Sequence, residues 1–598
     1  MKKVAILSMG IFLFLSIGLY SQTYYSFLDY NNIKALIRPV GHHFWDWQGS
    51  ASFQFPADSA TSTIFCNTLW IGGKDSEDSL HLCGERYRQI GRDYTTGPLS
   101  YNPDLDFSPT SVINEYDYIW EITKAEIDEF ILCNNNPAYP AYEIPEDILN
   151  WPAHGDVSIG QSYYLAPFLD VNGNGYYDPV NGDYPNIRGQ QCLFFIYNDY
   201  KAHGETGGGM LGVEIHGMAY AYIFPDEPAY ENTIFLNYKI INRSSEVYHD
   251  TYIGVFTDFD IGYPKDDYIG CDVPRGTFYA YNADDFDETA EGIAGYGADA
   301  PAQSATLLSG PYMDSDGVDN PNEDAFGEQV VDESINGMFF GDGIIDNERL
   351  GMTRFNYFNN CETGANPNTL DPYYAEDYYA YMTGSWLDGT PISYGGTGHY
   401  SGGADTLKPV RFVFPGNPNT NTYGWGVDGV PQAAWSEETE GNPPADRRGM
   451  SSSGPFTFNP GDTAYVDLAF VSGVAIGVKS SSIEVMQQYI DVIRSDFESN
   501  VLPDGSPFYI TGIESSNVQT SSNLRFYPNP ANNSLTVQCG TQTDFQIEIL
   551  DIQGKVLLKE NMNGNSHVFD ISSLSEGVYF VKISDSKNSE TKKLVILR

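Results

Sequence analysis

Five runs between residues 188 and 300 confine this chain to a sheet-forming architecture: QCLFFIYND, LGVEIHGMAYAYIF, NTIFLNYKIINRS, DTYIGVFTDFDIG and GTFYAYNAD. Each is rich in β-branched and aromatic residues and is bounded by Gly, Pro, Asn or Asp, the composition of short strands between turns. ASFQFP, STIFCNTLWIGG and HLCGERYRQIG continue the pattern upstream, and GDTAYVDLAFVSGVAIG reads as a closing strand pair. Tyr (44) and Phe (34) together outnumber the 31 Lys and Arg, and glycine and proline are frequent (59 and 34), as in a loop-rich extracellular β protein. Two helices are expected. One is TKAEIDEFILCNN, with Ile127, Phe130 and Ile131 spaced for one face; the other is the amphipathic SSIEVMQQYIDVIRSDFESN, with Ser481 or Ser482 as its cap. The expected fold is mainly β: a loop-rich β-sandwich body with few helices, and a small immunoglobulin-like β-sandwich at the C-terminus.

The ends of the chain carry addresses. Lys2 and Lys3 precede an apolar stretch from Val4 to Leu19, and Tyr20-Ser21-Gln22 follows as a polar exit, so residues 1–21 read as a secretory signal peptide cut after Ser21. The stretch is short for a membrane span and diluted by Ser8, Gly10, Ser16 and Gly18. The first cysteine is Cys66, which disfavours a lipid-anchored start. No later stretch reads as a transmembrane span.

From Arg525 onward, short alternating strands (SLTVQC, FQIEILDIQG, GVYFVKI) are separated by turn residues. Four motifs follow in order: Tyr527-Pro528-Asn529-Pro530, Asp551-Ile552-Gln553-Gly554-Lys555-Val556, Leu574-Ser575-Glu576-Gly577-Val578-Tyr579 and Lys592-Lys593-Leu594-Val595. Residues 524–598 thereby resemble the type A C-terminal sorting domain of type IX (Por) secretion cargo. The resemblance implies a translocon and a sorting peptidase as partners, removal of the domain, and release or attachment to surface glycolipid. The remaining divisions are an N-terminal β-rich region (22–165), a β-sandwich body with acidic calcium-type loops (166–510) and a polar linker (511–523). The body also resembles a group of large uncharacterised exported proteins with the same sorting domain, through stretches such as LHLCGERYRQIGRDYTTGPL, YNDYKAHGETGGGMLGVEIHGMAYAY, TDFDIGYPKDDYIGCDVPRG and FGDGIIDNERLGM. That likeness names no reaction.

The signal stretch contributes +2 and residues 525–598 nothing net, so the formal charge of −49 leaves −51 on residues 22–524. Such a field repels nucleic acid and attracts cations. The loop DVNGNGYYDPVNGDYP answers to it: Asp170, Asn172, Asn174, Tyr176 through its carbonyl, and Asp178 stand at positions 1, 3, 5, 7 and 9 of an EF-hand-like loop, with Gly175 at the sharp turn. Asn181 replaces the bidentate glutamate of position 12, and Asp183 is the substitute within reach. An Asx-turn loop that only bonds its own backbone is the competing reading. DSDGVDNPNED and GDGIIDNERLG add Asp314, Asp316, Asp319, Asp324, Asp342, Asp346 and Glu348, the first tract resembling thrombospondin type 3 calcium repeats. TDFDIGYPKDDYIGCD holds Asp258, Asp260, Asp266, Asp267 and Asp272, which read equally as a metal site or as a solvated strand-end loop. Calcium is the expected cofactor.

No zinc, serine-elbow or comparable pattern appears. His203, Glu205, Glu214 and His216 line a site only if their strands pair suitably, and Trp45 and Trp47 serve as sugar-stacking rings or as buried anchors. Seven cysteines match no metal spacing, and Cys66 with Cys83 is the pair open to a short-range bridge. The expectation is a secreted or cell-surface binding or structural protein. A secreted hydrolase of extracellular polysaccharide or protein is the alternative.

Mass spectrometry of the exported protein should find an N-terminus near Gln22 and a C-terminus upstream of Arg525, and deletion of residues 525–598 should hold the chain in the periplasm. External protein ending at Arg598 would refute removal of the terminal domain.

Overall fold

The run Gln191–Asn198 sends Leu193, Phe195 and Tyr197 to one face and Cys192, Phe194 and Ile196 to the other, and all six are buried. A strand apolar on both faces must be covered twice. The computed structural model, which describes residues 25–46, 48–87, 91–100, 108–322, 335–360, 364–415, 433–475, 479–509, 525–527, 534–538, 544–550, 555–563, 566–575, 577–584 and 589–596, supplies both covers. The chain divides into two units between Tyr509 and Ile510.

In the first unit, an eight-stranded antiparallel sheet runs in the order 26–28, 34–37, 53–54, 62–74, 248–259, 447–458 and 354–359, with 80–84 also paired to 62–74. A nine-stranded sheet runs 267–272, 277–282, 302–309, 463–473, 233–242, 213–221, 191–198 and 95–96, with 120–123 also on 191–198. One core lies between them, where Leu193, Ile215, Ile240 and Leu468 meet Ile64, Leu69, Ile71 and Val255. The far face of the nine-stranded sheet is closed by the helix Lys479–Ser499 through Ile483, Met486, Ile490, Ile493 and Phe497, spaced at three and four residues. The helix packs on bare backbone at Gly473, where a Cβ would come within 2.3 Å of the Met486 amide.

Three expectations need correction. The first helix spans Lys124–Cys133 with Thr123 and Glu126 in a capping box, and its buried stripe is Ile127, Phe130 and Cys133. Ile131 is 54% exposed, because a stripe centred on Phe130 turns it away from the sheet. The second helix starts at Lys479, so Ser482 lies inside it, accepting from the Ala475 amide and donating to the Ala300 carbonyl. Cys66 and Cys83 are both buried thiols: the register sets Ile71 opposite Cys83, which leaves Cys66 five residues along the strand.

The terminal unit has a four-stranded sheet (556–563, 544–550, 577–584, 589–596) and a three-stranded one (525–527, 534–538, 566–570). Leu535 and Phe569 of the smaller sheet share a core with Ile547, Ile549, Val581, Leu594 and Ile596 of the larger. It is a small β-sandwich.

Candidate metal centre

Register builds the centre. Asp258 stands opposite Cys66 on one neighbouring strand and Arg448 on the other, and Arg448 stands opposite Phe358. These four side chains share the outer face of the eight-stranded sheet, which is otherwise aromatic. Trp70 stacks on Phe256 at 5.3 Å and Phe256 on Phe358 at 5.9 Å, while Tyr378 of the helix Ala375–Met382 closes over Trp70 at 4.4 Å.

Arg448 is held by carboxylates. Its Nε lies 3.2 Å from Asp258 Oδ1 and donates to the Tyr87 hydroxyl at 3.2 Å; its Nη1 lies 3.2 Å from Asp446 Oδ1. Tyr87 donates its hydroxyl to Asp258 Oδ2. The adjacent Arg86 repeats the arrangement: Nε lies 3.4 Å from Glu205 Oε1 and 3.1 Å from the Tyr378 hydroxyl, Tyr378 donates to Glu205 at 3.0 Å, and Nη1 lies 2.8 Å from Asp371. One dipeptide, Arg86-Tyr87, joins two arginine–carboxylate–tyrosine groups. Nearby, Glu85 ties His42 Nδ1 (2.9 Å) to the amides of Asp93 and Tyr94.

Carboxylate oxygens of Asp258, Asp260 and Asp446 lie within 4.8 Å of one another. Burial pushes Asp258 up to about 7 although Arg448 opposes it, and pushes Asp260 well up with help from Asp258 and Asp446. Burial also raises Glu205 to about 7 against the pull of Arg86. The cause is common: more buried carboxylates than guanidinium groups to neutralise them.

The acidic residues singled out in the sequence fall in three stretches. Residues 170–183 form a loop closed by the pairing of Phe168–Leu169 with Tyr184–Pro185. Asp170 accepts from the amides of Gly173, Asn174 and Gly175; Asp178 collects the side-chain amides of Asn172, Asn174 and Asn181; buried Asp183 accepts from the amides of Val171 and Asp178. Tyr176 is exposed. In the second tract, Asp346 accepts from the amides of Asp316 and Gly317, Asp319 from Gly341 and Gly343, Asp342 from Ile344, and Glu348 from Asn320. Asp314 turns to Thr457 instead, and Asp324 lies outside the described residues. In the third stretch, Asp258 and Asp260 come together with Asp446, and Asp267 adjoins them. Asp266 accepts from the Glu288 amide, and Asp272 is taken by Arg275 and Gln487, both at 2.7 Å.

The four residues weighed for catalysis do not form one site. His216 pairs with Glu214, which Arg243 also holds, whereas His203 donates toward the Leu82 carbonyl and Glu205 belongs to Arg86. Trp45 is buried beneath Arg38, and Trp47 lies outside the described residues. Sequence reasoning missed Asp446, Arg448, Arg86, Tyr87, Asp371 and Tyr378. The usable signal was Asp446-Arg447-Arg448 at the head of a strand in a chain short of basic residues. A cleft of about 200 Å³ lies elsewhere, below the ~300–1,000 Å³ of ordinary ligand sites. Its acids have structural partners: Glu126 caps a helix and Asp147 takes the Tyr118 hydroxyl.

Residues 525–597 match the secretion system C-terminal sorting domain family. The chain is type IX secretion cargo, exported and either secreted or attached to the outer surface. No helix among the described residues is long and apolar enough to cross a membrane. An endo-acting ulvan lyase of Formosa agariphila is 28% identical over 83 residues, 14% of this chain and 16% of the lyase. The chain thus matches under a fifth of that relative's length. Among solved structures, a polysaccharide lyase aligns at 7% identity over 64% of this chain and 34% of its own, with a TM-score of 0.18. The BSP domain of a biofilm associated protein aligns at 8% identity over 61% and 60%, with a TM-score of 0.12. Likenesses of that strength carry no argument about fold or activity.

Because Glu205 is raised in the folded state, its protonated form adds stability that is lost as pH rises from about 4.5 through about 7. Glu205→Gln should flatten that part of the stability–pH curve by at most about 1.4 kcal/mol per pH unit, read from melts at several pH values.

Proposed function

We propose that the body is a calcium-stabilised β-sandwich that binds or scaffolds outside the cell. The winding of residues 170–183 carries this reading. Asp170 gathers the amides of the loop's fourth, fifth and sixth residues, Asn172 and Asn174 each accept from the amide two residues on, and Gly173 and Gly175 take the left-handed φ values of 71° and 79° that the tight turn requires. The loop offers side-chain oxygens of Asp170, Asn172, Asn174, Asp178 and Asp183 and the Tyr176 carbonyl, matching the six to eight oxygens a calcium ion takes. Asp183 supplies the carboxylate that Asn181 cannot. The tract of Asp316, Asp319, Asp342, Asp346 and Glu348 is the second such loop. A binding role draws support from Tyr164 and Tyr176, 60% and 64% exposed, which stand beside the first loop against Tyr163. Tyr163 is itself tied to the Gly175 carbonyl.

A second reading, a secreted enzyme acting on polysaccharide, is favoured by Glu205 and Asp258, two buried acids both raised to about 7 and each hydrogen-bonded by a tyrosine and paired with an arginine. The partial likeness to an ulvan lyase points the same way.

At about 1 mM calcium, an extracellular-type site contributes roughly 0.4–1.4 kcal/mol, and the two loops together roughly 1–3 kcal/mol. Chelation should lower the melting temperature and open residues 170–183 and 314–348 to protease first, and Asp170→Ala should reproduce part of the loss. Unchanged melting and proteolysis in chelator, with no calcium in the purified protein, would sink the calcium reading. The same protein incubated with ulvan should leave its chain length unchanged; shortening that Glu205→Gln abolishes would favour the enzyme.

A further inference from the structure

Three carboxylates come together, and a fourth, that of Asp267, lies near them, where the two sheets of the body adjoin. Asp258 lies near the end of strand 248–259, Asp260 follows that strand, and Asp446 immediately precedes strand 447–458, all in the eight-stranded sheet. Asp267 opens strand 267–272 at the edge of the nine-stranded sheet. The first three already lie within 4.8 Å of one another. Asp267 is bonded to the chain neighbours of two of them: its Oδ2 accepts from the Ile261 amide, next to Asp260, at 2.9 Å, and its carbonyl accepts from the Ala445 amide, next to Asp446, at 3.2 Å. Its remaining carboxylate oxygen, Oδ1, is buried without a hydrogen-bond partner, and the residue is only 4% exposed.

Among the described residues, the protein groups in place do not balance this set. Arg448 is one guanidinium serving Asp258 and Asp446; Tyr87 and Asn360 offer these same two residues neutral donors. Asp260 has neither a hydrogen bond nor an ion pair from its side chain among the described residues. A buried carboxylate oxygen left without a partner carries its full desolvation cost, which is larger still when it is charged. The donors are all hard oxygens. Among the described residues, the Cys66 thiol is the soft ligand at hand, and it is turned to the Arg86 carbonyl at 3.0 Å. Such a set suits calcium rather than a thiophilic metal.

We propose that Asp258, Asp260, Asp267 and Asp446 hold one buried calcium ion, distinct from the ions of the surface loops, that fastens strands 248–259 and 447–458 of one sheet to strand 267–272 of the other. The proposal rests on the calcium reading above for the identity of the ion and on this geometry for the site.

Full-length protein stripped with chelator and reloaded with calcium chloride alone, its bound calcium counted by mass spectrometry of the element, tests the site. Asp260→Asn and Asp267→Asn should each bind one calcium fewer than the unaltered protein. Asp170→Ala should lose a different one, so that Asp170→Ala with Asp260→Asn loses two. A folded Asp260→Asn protein that keeps the full count overturns the buried site, as does unaltered protein that binds no calcium. A loss of one ion in Asp260→Asn but none in Asp170→Ala supports the buried site and removes the surface loop. Should Asp267→Asn fail to fold, Asp260→Asn decides, since its carboxylate holds no other part of the described structure in place.

Discussion

A guanidinium group withdrawn from water must be met by hydrogen-bond acceptors, because leaving it unpaired costs several kcal/mol. Arg448, on a central strand of the eight-stranded sheet, imposes that requirement on its neighbours. Its partners arrive by register: Asp258 from the adjacent strand, Asp446 from the start of its own, and Tyr87 from the segment after strand 80–84. A one-residue slip of strand 248–259 would turn Asp258 to the opposite face and bring Thr257 or Phe259 beside Arg448. The row Cys66–Asp258–Arg448–Phe358 therefore locks the alignment of four strands. The aromatic stack of Trp70, Phe256 and Phe358 on the same face follows from that alignment.

Few positive charges exist in this protein, and several are placed inside it. Arg188 and Arg349 clamp buried Asp467 between them at 2.8 and 3.2 Å. Arg494, inside the long helix, donates to the carbonyls of Arg275, Leu307 and Asn336. Arg86 and Arg448 organise the centre on the outer face of the other sheet. Residues 22–524 carry a formal −51, and with several of the few basic side chains inside, acids dominate the rest. Self-repulsion on that scale draws small counter-ions to the body.

The two acidic arrangements differ in how their carboxylates are satisfied. In the surface loops, backbone amides and asparagine side chains hold them. In the buried centre the carboxylates crowd one another and Asp267 Oδ1 has no partner among the described residues, and burial with mutual repulsion pushes Asp260 and Asp267 well above the usual carboxylate range.

Local patterns were legible in the sequence. The strand runs, the helix in TKAEIDEFILCNN, the Asp170 loop with its glycines, and each of the ordered motifs after Arg525 lie within a dozen or so residues, where periodicity and turn chemistry act directly. Failures arose where one local pattern allowed two placements. Ile131 and Cys133 both fit an apolar stripe, and packing against the sheet chose Cys133. Cys66 and Cys83 sit on paired strands, but the register decides which residues face each other. The centre was beyond local reading altogether. Tyr87 reaches Asp258 across 171 residues, Arg86 reaches Tyr378 across 292, and Arg448 reaches Tyr87 across 361. The sequence by itself determined that this chain is an exported, acid-rich, sheet-forming protein with a terminal sorting module. Only the tertiary structure decided which of its 80 acids meet, because strand register converts distant positions into neighbours and no spacing along the chain records that choice.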